Sequence, residues 1–125
     1  MNVDRMRNNT EFYNGFEYEP EIELKIAEKP DISIHIWDGY FCDIFSNPDF
    51  HENGWTGFTR DFQEEVRTYD SKETRIDVSE YLSDLMTYRY NQFEITKTNK
   101  CLELMCEFLK YADENNYTVL VTWWS

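Results

Sequence analysis

Basic side chains are scarce in this 125-residue chain: 12 Lys and Arg stand against 25 Asp and Glu, a formal net charge of −13. That balance excludes the positive footprint of a nucleic-acid binder and disfavours an anionic membrane surface. Glycine and proline are also few, four and three, which argues against a linker-rich chain. The three cysteines, Cys42, Cys101 and Cys106, are an odd number and build no disulfide framework. They read as reduced, mostly buried, small hydrophobes. No apolar run reaches the length of a membrane-spanning helix. The start, Met1 to Asn8, has no apolar segment of the signal-peptide kind, so the expected compartment is the cytoplasm.

Chemistry-bearing motifs are missing too. His35 and His51 are the only histidines, and neither has a second histidine or cysteine at a zinc spacing. There is no Cys-x-x-Cys, no nucleophile motif, no glycine-rich phosphate loop and no dinucleotide fingerprint. Asp31 to Asp43 and Asp49 to Asp61 both lack the alternation and closing Glu of a calcium loop. The expectation is a protein that is not an enzyme and needs no metal or cofactor. His51, beside Asp49 and Glu52, leaves one alternative, a small hydrolase using loop carboxylates.

What is abundant is acid, and it is unevenly placed. Residues 11–65 hold 14 acids against Lys25, Lys29 and Arg60, a net of −11, whereas residues 66–125 hold 10 acids against seven bases, a net of −3. The acidic stretch is also rich in aromatics, including Trp37, Tyr40, Phe41, Trp55 and Phe58. Aromatic residues make up 18% of the chain, more than a disordered acidic tail carries, so a folded core is expected. At this length the core can form without staples.

Periodicity predicts the elements. Residues 1–20 have no clear period and read as an N-terminal arm. The rest, 21–125, reads as a single α+β domain. Glu21 to Ile26 alternates as a half-buried strand, and Ile32, Ile34 and Ile36 form a matching row after a turn at Glu28-Lys29-Pro30-Asp31. The two rows suggest an antiparallel pair sharing one buried face, with His35 on the other. Asp38-Gly39 reads as a hairpin turn returning through Tyr40 to Phe45, or as a bulge in one long strand. Residues 46–59 are irregular, the kind of long loop that is often functional. Thr59 could start a short helix over 60–67, placing Asp61 and the pair Glu64, Glu65 on one face, and 68–75 reads as loop. Asp77 with Glu80 makes a capping box, stapled by Ile76 and Tyr81, for a helix over 78–90. A second amphipathic helix covers 99–114, capped by Asn115-Asn116. Residues 117–124, apolar on both faces, read as an interior strand. The expected fold is an antiparallel sheet of about four strands with two main helices on one face.

The runs Val78-Ser79-Glu80-Tyr81-Leu82-Ser83-Asp84-Leu85, Phe93-Glu94 and Cys101 through Ala112 resemble small immunity proteins of bacterial polymorphic-toxin systems, including contact-dependent growth inhibition. The likeness covers roughly residues 76–122, with a weaker echo at Gly57 to Phe62. It implies a cytoplasmic antitoxin without chemistry of its own, which binds the C-terminal toxin domain of a partner and blocks its active site or substrate groove. Many such toxins are basic nucleases, which fits the charge. The charge and aromatic map, separately, nominates the contact residues: Trp37, Asp38, Tyr40, Asp43, Asp49, Glu52, Trp55, Asp61, Glu64 and Glu65. An acidic adaptor for another basic protein is the alternative that differs only in partner.

Overall fold

The computed structural model describes residues 3–64 and 71–124. Glu65, and the part of the expected 60–67 helix that contains it, lie outside the described residues. Two alternating rows build the centre. In β2 (Glu21–Ile26) and β3 (Lys29–Trp37), Ile22, Leu24, Ile26, Ile32, Ile34 and Ile36 are all buried. The strands pair antiparallel, with Ile22 opposite Ile36 and Leu24 opposite Ile34, so one face of the pair is continuously apolar. The turn between them is Ala27-Glu28, two residues tighter than the expected Glu28-to-Asp31 turn. Pro30 is therefore the second residue of β3, a position where its missing N–H is tolerated.

The sheet has five strands in the order β1-β3-β2-β5-β4, and it is mixed rather than purely antiparallel. The first twenty residues supply a 3-10 turn, Val3–Met6, and the edge strand β1 (Asn9–Phe12), which runs parallel to β3. Met6 and Phe12 are buried anchors of that segment. At the other edge, β4 (Thr74–Arg75) is a two-residue strand inside the expected 68–75 loop, and it pairs with β5 (Val119–Trp124). β5 thus lies between β2 and β4.

Among the described residues there are four α-helices, one more than the two main helices and the short helix expected: α1 (Asp38–Phe45), α2 (Gly57–Gln63), α3 (Val78–Met86) and α4 (Thr98–Glu114). The expected return strand Tyr40–Phe45 is helix α1. Tyr40, Phe41, Ile44 and Phe45 recur at i, i+1, i+4 and i+5 and are all buried, a helical stripe that a period-two reading hides. Gly39 serves close approach rather than a turn, since a Cβ there would overlap the Trp37 indole. α2 begins at Gly57, so Thr56 rather than Thr59 precedes it. In α3 the Asp77 half of the expected capping box forms, with Asp77 Oδ1 accepting from the Glu80 N–H at 3.0 Å. The helix stops at Met86, short of Tyr90. There Thr87 Oγ1 donates to the Asp84 carbonyl at 2.7 Å, and the next N–H groups reach back only three residues. α4 ends with Asn116 at φ 55°, the left-handed cap expected of that pair. Side chains of all four helices join the isoleucine face of the sheet in one core. No helix among the described residues is long and apolar enough to cross a membrane.

Candidate partner-binding surface

The residues nominated by the charge map divide into those the fold consumes and those it presents. Tyr40 is consumed. α1 turns it inward, and its ring meets Phe12 at 5.9 Å and Trp37 at 5.2 Å, both edge-on. Trp37 is half-buried and stacked on Phe16 at 3.9 Å. Asp38 opens α1, where a carboxylate favours the positive helix end, and Cys42 Sγ approaches it at 3.5 Å. Asp43 reaches across to the start of α4. It accepts from Ile95 N–H at 3.0 Å and Thr98 Oγ1 at 2.6 Å, with the Glu94 N–H at 3.3 Å. It is a cap supplied from another helix, because Lys97, at the cap position, offers no acceptor.

Asp61 is the clearest correction. It is buried rather than on an exposed acidic face. The reason is local: α2 is seated between α1 and α3, with Phe58 packed on Tyr81 at 4.7 Å and on Phe41 at 5.7 Å. That seating carries Asp61 onto Tyr81, whose hydroxyl donates to it at 2.7 Å, and beside Arg60, which also lies 3.6 Å from Glu80. A second carboxylate, Asp84, fills the other end of the α2–α3 seam. It accepts from the Thr59 N–H at 2.9 Å and from Thr59 Oγ1 at 2.7 Å. The one Thr59 hydroxyl proton goes to Asp84, so the Tyr88 hydroxyl, 2.6 Å away, donates to Thr59 Oγ1. Burial raises the pKa of both carboxyls above the ordinary range, opposed by Tyr81 and Arg60 at Asp61 and by Thr59 at Asp84. Burial also pushes Tyr88 up to about 12.

These shifts fix a pH dependence. A folded pKa above the unfolded value means the folded state holds the proton more tightly. The associated stability is complete below the unfolded carboxyl value of about 3.9 and is lost as pH rises through the folded value. The stability of the parent protein relative to Asp84→Asn is therefore expected to increase as pH is lowered from neutrality into that window. Urea denaturation of both forms across the range measures this difference, and one that stays flat or shrinks on acidification contradicts it.

The presented residues are in the loop 46–56 and at the end of α2. Asp49, Glu52 and Glu64 are exposed, and Trp55 is half-buried with its Nε1 donating to the Asp49 carbonyl at 3.0 Å. That bond, with Gly54 N–H to His51 O at 3.1 Å and Gly54 at φ 87°, folds the loop back on itself. Phe50, an aromatic of the acidic stretch that was not among the nominated contacts, projects outward with 86% of its surface exposed rather than pinning the loop to the core. A large apolar ring held in water between Asp49 and Glu52 is the kind of anchor a partner would cover.

The groups bearing on the hydrolase expectation are also placed. A recess of about 180 Å³ brings together His51, Ser83, Asp84 and Thr87. The Asp84 carboxylate is turned to Thr59, and neither nitrogen of His51 makes a hydrogen bond among the described residues. The three cysteines form no disulfide; Cys101 and Cys106 are buried, and the Cys106 thiol is pushed up to about 11 by burial. Among the described residues no three His, Cys, Asp or Glu side chains are grouped to hold a metal ion.

One constellation escaped the linear reading. On the sheet face turned away from the helices, His35 lies between Glu21 and Glu23, with Nδ1 3.0 Å from Glu21 Oε2 and Nε2 3.3 Å from Glu23 Oε2. Alternation alone puts these residues on that face. Their meeting depends on the cross-strand register, which pairs Glu23 with His35. The chain matches no protein-family model, no curated protein and no solved structure.

Proposed function

We propose that this chain is a non-enzymatic immunity protein that binds a basic toxin domain, of nuclease type, and neutralises it by covering its active site or substrate groove. The observation that carries this reading is the presented loop: Phe50 exposed at 86% between the exposed acids Asp49 and Glu52. Acids steer a basic partner to the surface, and the ring gives the complex an apolar centre. The direct experiment expresses a toxin domain encoded beside this chain with and without it. Growth rescue together with a stoichiometric complex supports the reading, and toxicity unchanged at equal expression overturns it.

The contact is expected to have a kinetic signature. Replacing Asp49, Glu52 and Glu64 together by Lys should slow association with the toxin domain about tenfold or more, with a smaller change in dissociation. Rising salt should slow the parent's association in the same way, because steering is screened over about 8–10 Å. The three acids are exposed, so unfolding free energy should move by no more than about 1 kcal/mol. The matched control reverses Glu103 and Glu107 on α4. If the control abolishes protection while the loop variant retains it, the contact is not on this loop.

A further inference from the structure

α2 is held by two kinds of contact, and they fall on different sides. Toward α1 the contact is mostly aromatic. Phe58 meets Phe41 at 5.7 Å and Phe45 at 5.9 Å, Phe62 lies 6.1 Å from Phe41, and Gln63 Nε2 donates to the Phe45 carbonyl at 2.9 Å. Toward α3, apart from Phe58 on Tyr81, the contact is polar. Asp61 and Arg60 meet Tyr81, Arg60 also reaches Glu80, and Thr59 meets Asp84 and Tyr88. Water can replace those polar partners, and it solvates two carboxylates that burial in the seam disfavours. It cannot replace the ring contacts with α1. Separating α2 from α3 therefore costs much less than lifting α2 off both neighbours.

The chain around α2 has the parts of a hinge. Gly57 opens the helix at φ 59°, directly after the extended Thr56. The 46–56 loop closes over the same carboxylate as the helix does, because His51, Gly54 and Thr56 share a recess with Ser83, Asp84 and Thr87. Loop and helix therefore leave α3 together when Asp84 lets go. α2 also carries its own reporters. Thr59 lies in the first turn, where an N–H has no carbonyl of the same helix behind it, and its N–H crosses the seam to Asp84 Oδ2 at 2.9 Å. The Glu64 N–H instead stays with α2, bonded to the Arg60 carbonyl at 2.8 Å. One amide reads the seam and the other reads the helix itself.

We propose that the α2–α3 seam is a latch: α2, still helical and still seated on α1, separates from α3 about Gly57 and takes the 46–56 loop with it, while the sheet and α4 stay folded. Binding segments are commonly drawn from such units, which open at less cost than the whole domain. The latch sets the position of the segment that presents Phe50, and it stands whatever partner that loop contacts. Protons set its direction. Asp61 faces Arg60 and Glu64 on α2 and Tyr81 and Glu80 on α3; Asp84 faces Thr59 and Asp61 on α2, Tyr88 beyond α3 and His51 in the loop. Burial outweighs the favourable members of each set, so the closed latch holds its protons more tightly than the open one. Closure is strongest below the ordinary carboxyl value of about 3.9 and weakens as pH rises through the closed-state value.

The test is native-state hydrogen exchange of the full chain, read amide by amide by NMR and corrected for intrinsic exchange rates. The Thr59 amide is expected to exchange through an opening that depends little on urea. Leu109, buried within α4, should exchange by the global route with full urea dependence. Glu64 should stay protected at least about tenfold longer than Thr59. Raising the pH from about 4 to about 7 should increase the Thr59 opening constant at least about threefold. Asp61→Asn, at the far end of the seam from Thr59, should raise it about fivefold or more at neutral pH, because the seam opens as one piece. A single fluctuating bond would not respond to that change. The proposal is overturned if Thr59 shares the opening constant and urea slope of Leu109. It is also overturned if Thr59 and Glu64 exchange together, since α2 would then melt rather than swing. An opening constant that stays level or falls as pH rises, or one indifferent to Asp61→Asn, has the same consequence. The parent chain alone supplies the first three outcomes, so the answer does not wait on the variant folding.

Discussion

Asp61→Lys is expected to destabilise the protein by about 3–5 kcal/mol, close to the whole stability of a domain this size. From the sequence Asp61 belongs with Glu64 and Glu65 on an exposed acidic face, where reversal of charge would cost little. The structure places it at 4% exposure against Tyr81, which donates to it at 2.7 Å, and beside Arg60. A lysine there brings a second cation next to Arg60 and removes the acceptor of a buried hydroxyl. Each effect opposes folding, because the interior offers neither charge nor hydroxyl a substitute for water. Asp61→Asn separates the two, since its carbonyl oxygen can still accept from Tyr81, and a loss of about 1–2 kcal/mol is expected. Urea denaturation of the three proteins gives the comparison. A lysine variant within about 0.5 kcal/mol of the parent would show that Asp61 is on the surface after all.

The same residue shows how far the sequence could be read. Strong periods were legible: the isoleucine rows of β2 and β3, the Asp77–Glu80 cap of α3 and the apolar face of α4 all form as their spacing requires. The short elements were not. α1 was masked by an Asp-Gly pair whose glycine makes room for Trp37, and β1 is four residues with only Phe12 buried. The charge map has a different weakness, because a carboxylate counts the same on a line whether it points into water or into the fold. Asp43 caps α4, while Asp61 and Asp84 accept from buried donors. These three carry charge in the formula but are not presented to a partner as Asp49 and Glu52 are. One signal was available at Asp61. It sits between Phe58 and Phe62 at helical spacing, so a helix burying both rings must turn it inward too. Glu21, Glu23 and His35 needed the register, which no single segment contains.

Gly57→Val is expected to cost about 3 kcal/mol or more and to disturb the loop that precedes it. Gly57 has φ 59°, a left-handed conformation that a β-branched residue strongly resists. A Cβ at that position would also lie 2.8 Å from Asp84 Cβ, inside the contact distance of two carbons. Backbone strain of about 1–3 kcal/mol and overpacking of about 1–3 kcal/mol act on the same atom, and the branched methyls extend the overlap toward the Asp84 carboxylate. Relief requires Asp84 to move, which breaks its bonds to Thr59 and with them the hold of α3 on α2. Gly57→Ala carries the strain and the closest contact without the branch, so it should be the milder of the two and remain folded at low temperature. Thermal unfolding ranks the three proteins, and the Trp55 indole, tied to Asp49 within the same loop, reports whether 46–56 has shifted. If the valine variant melts with the parent and leaves the Trp55 signal unchanged, then neither the left-handed turn nor the contact with Asp84 holds the start of α2 in place.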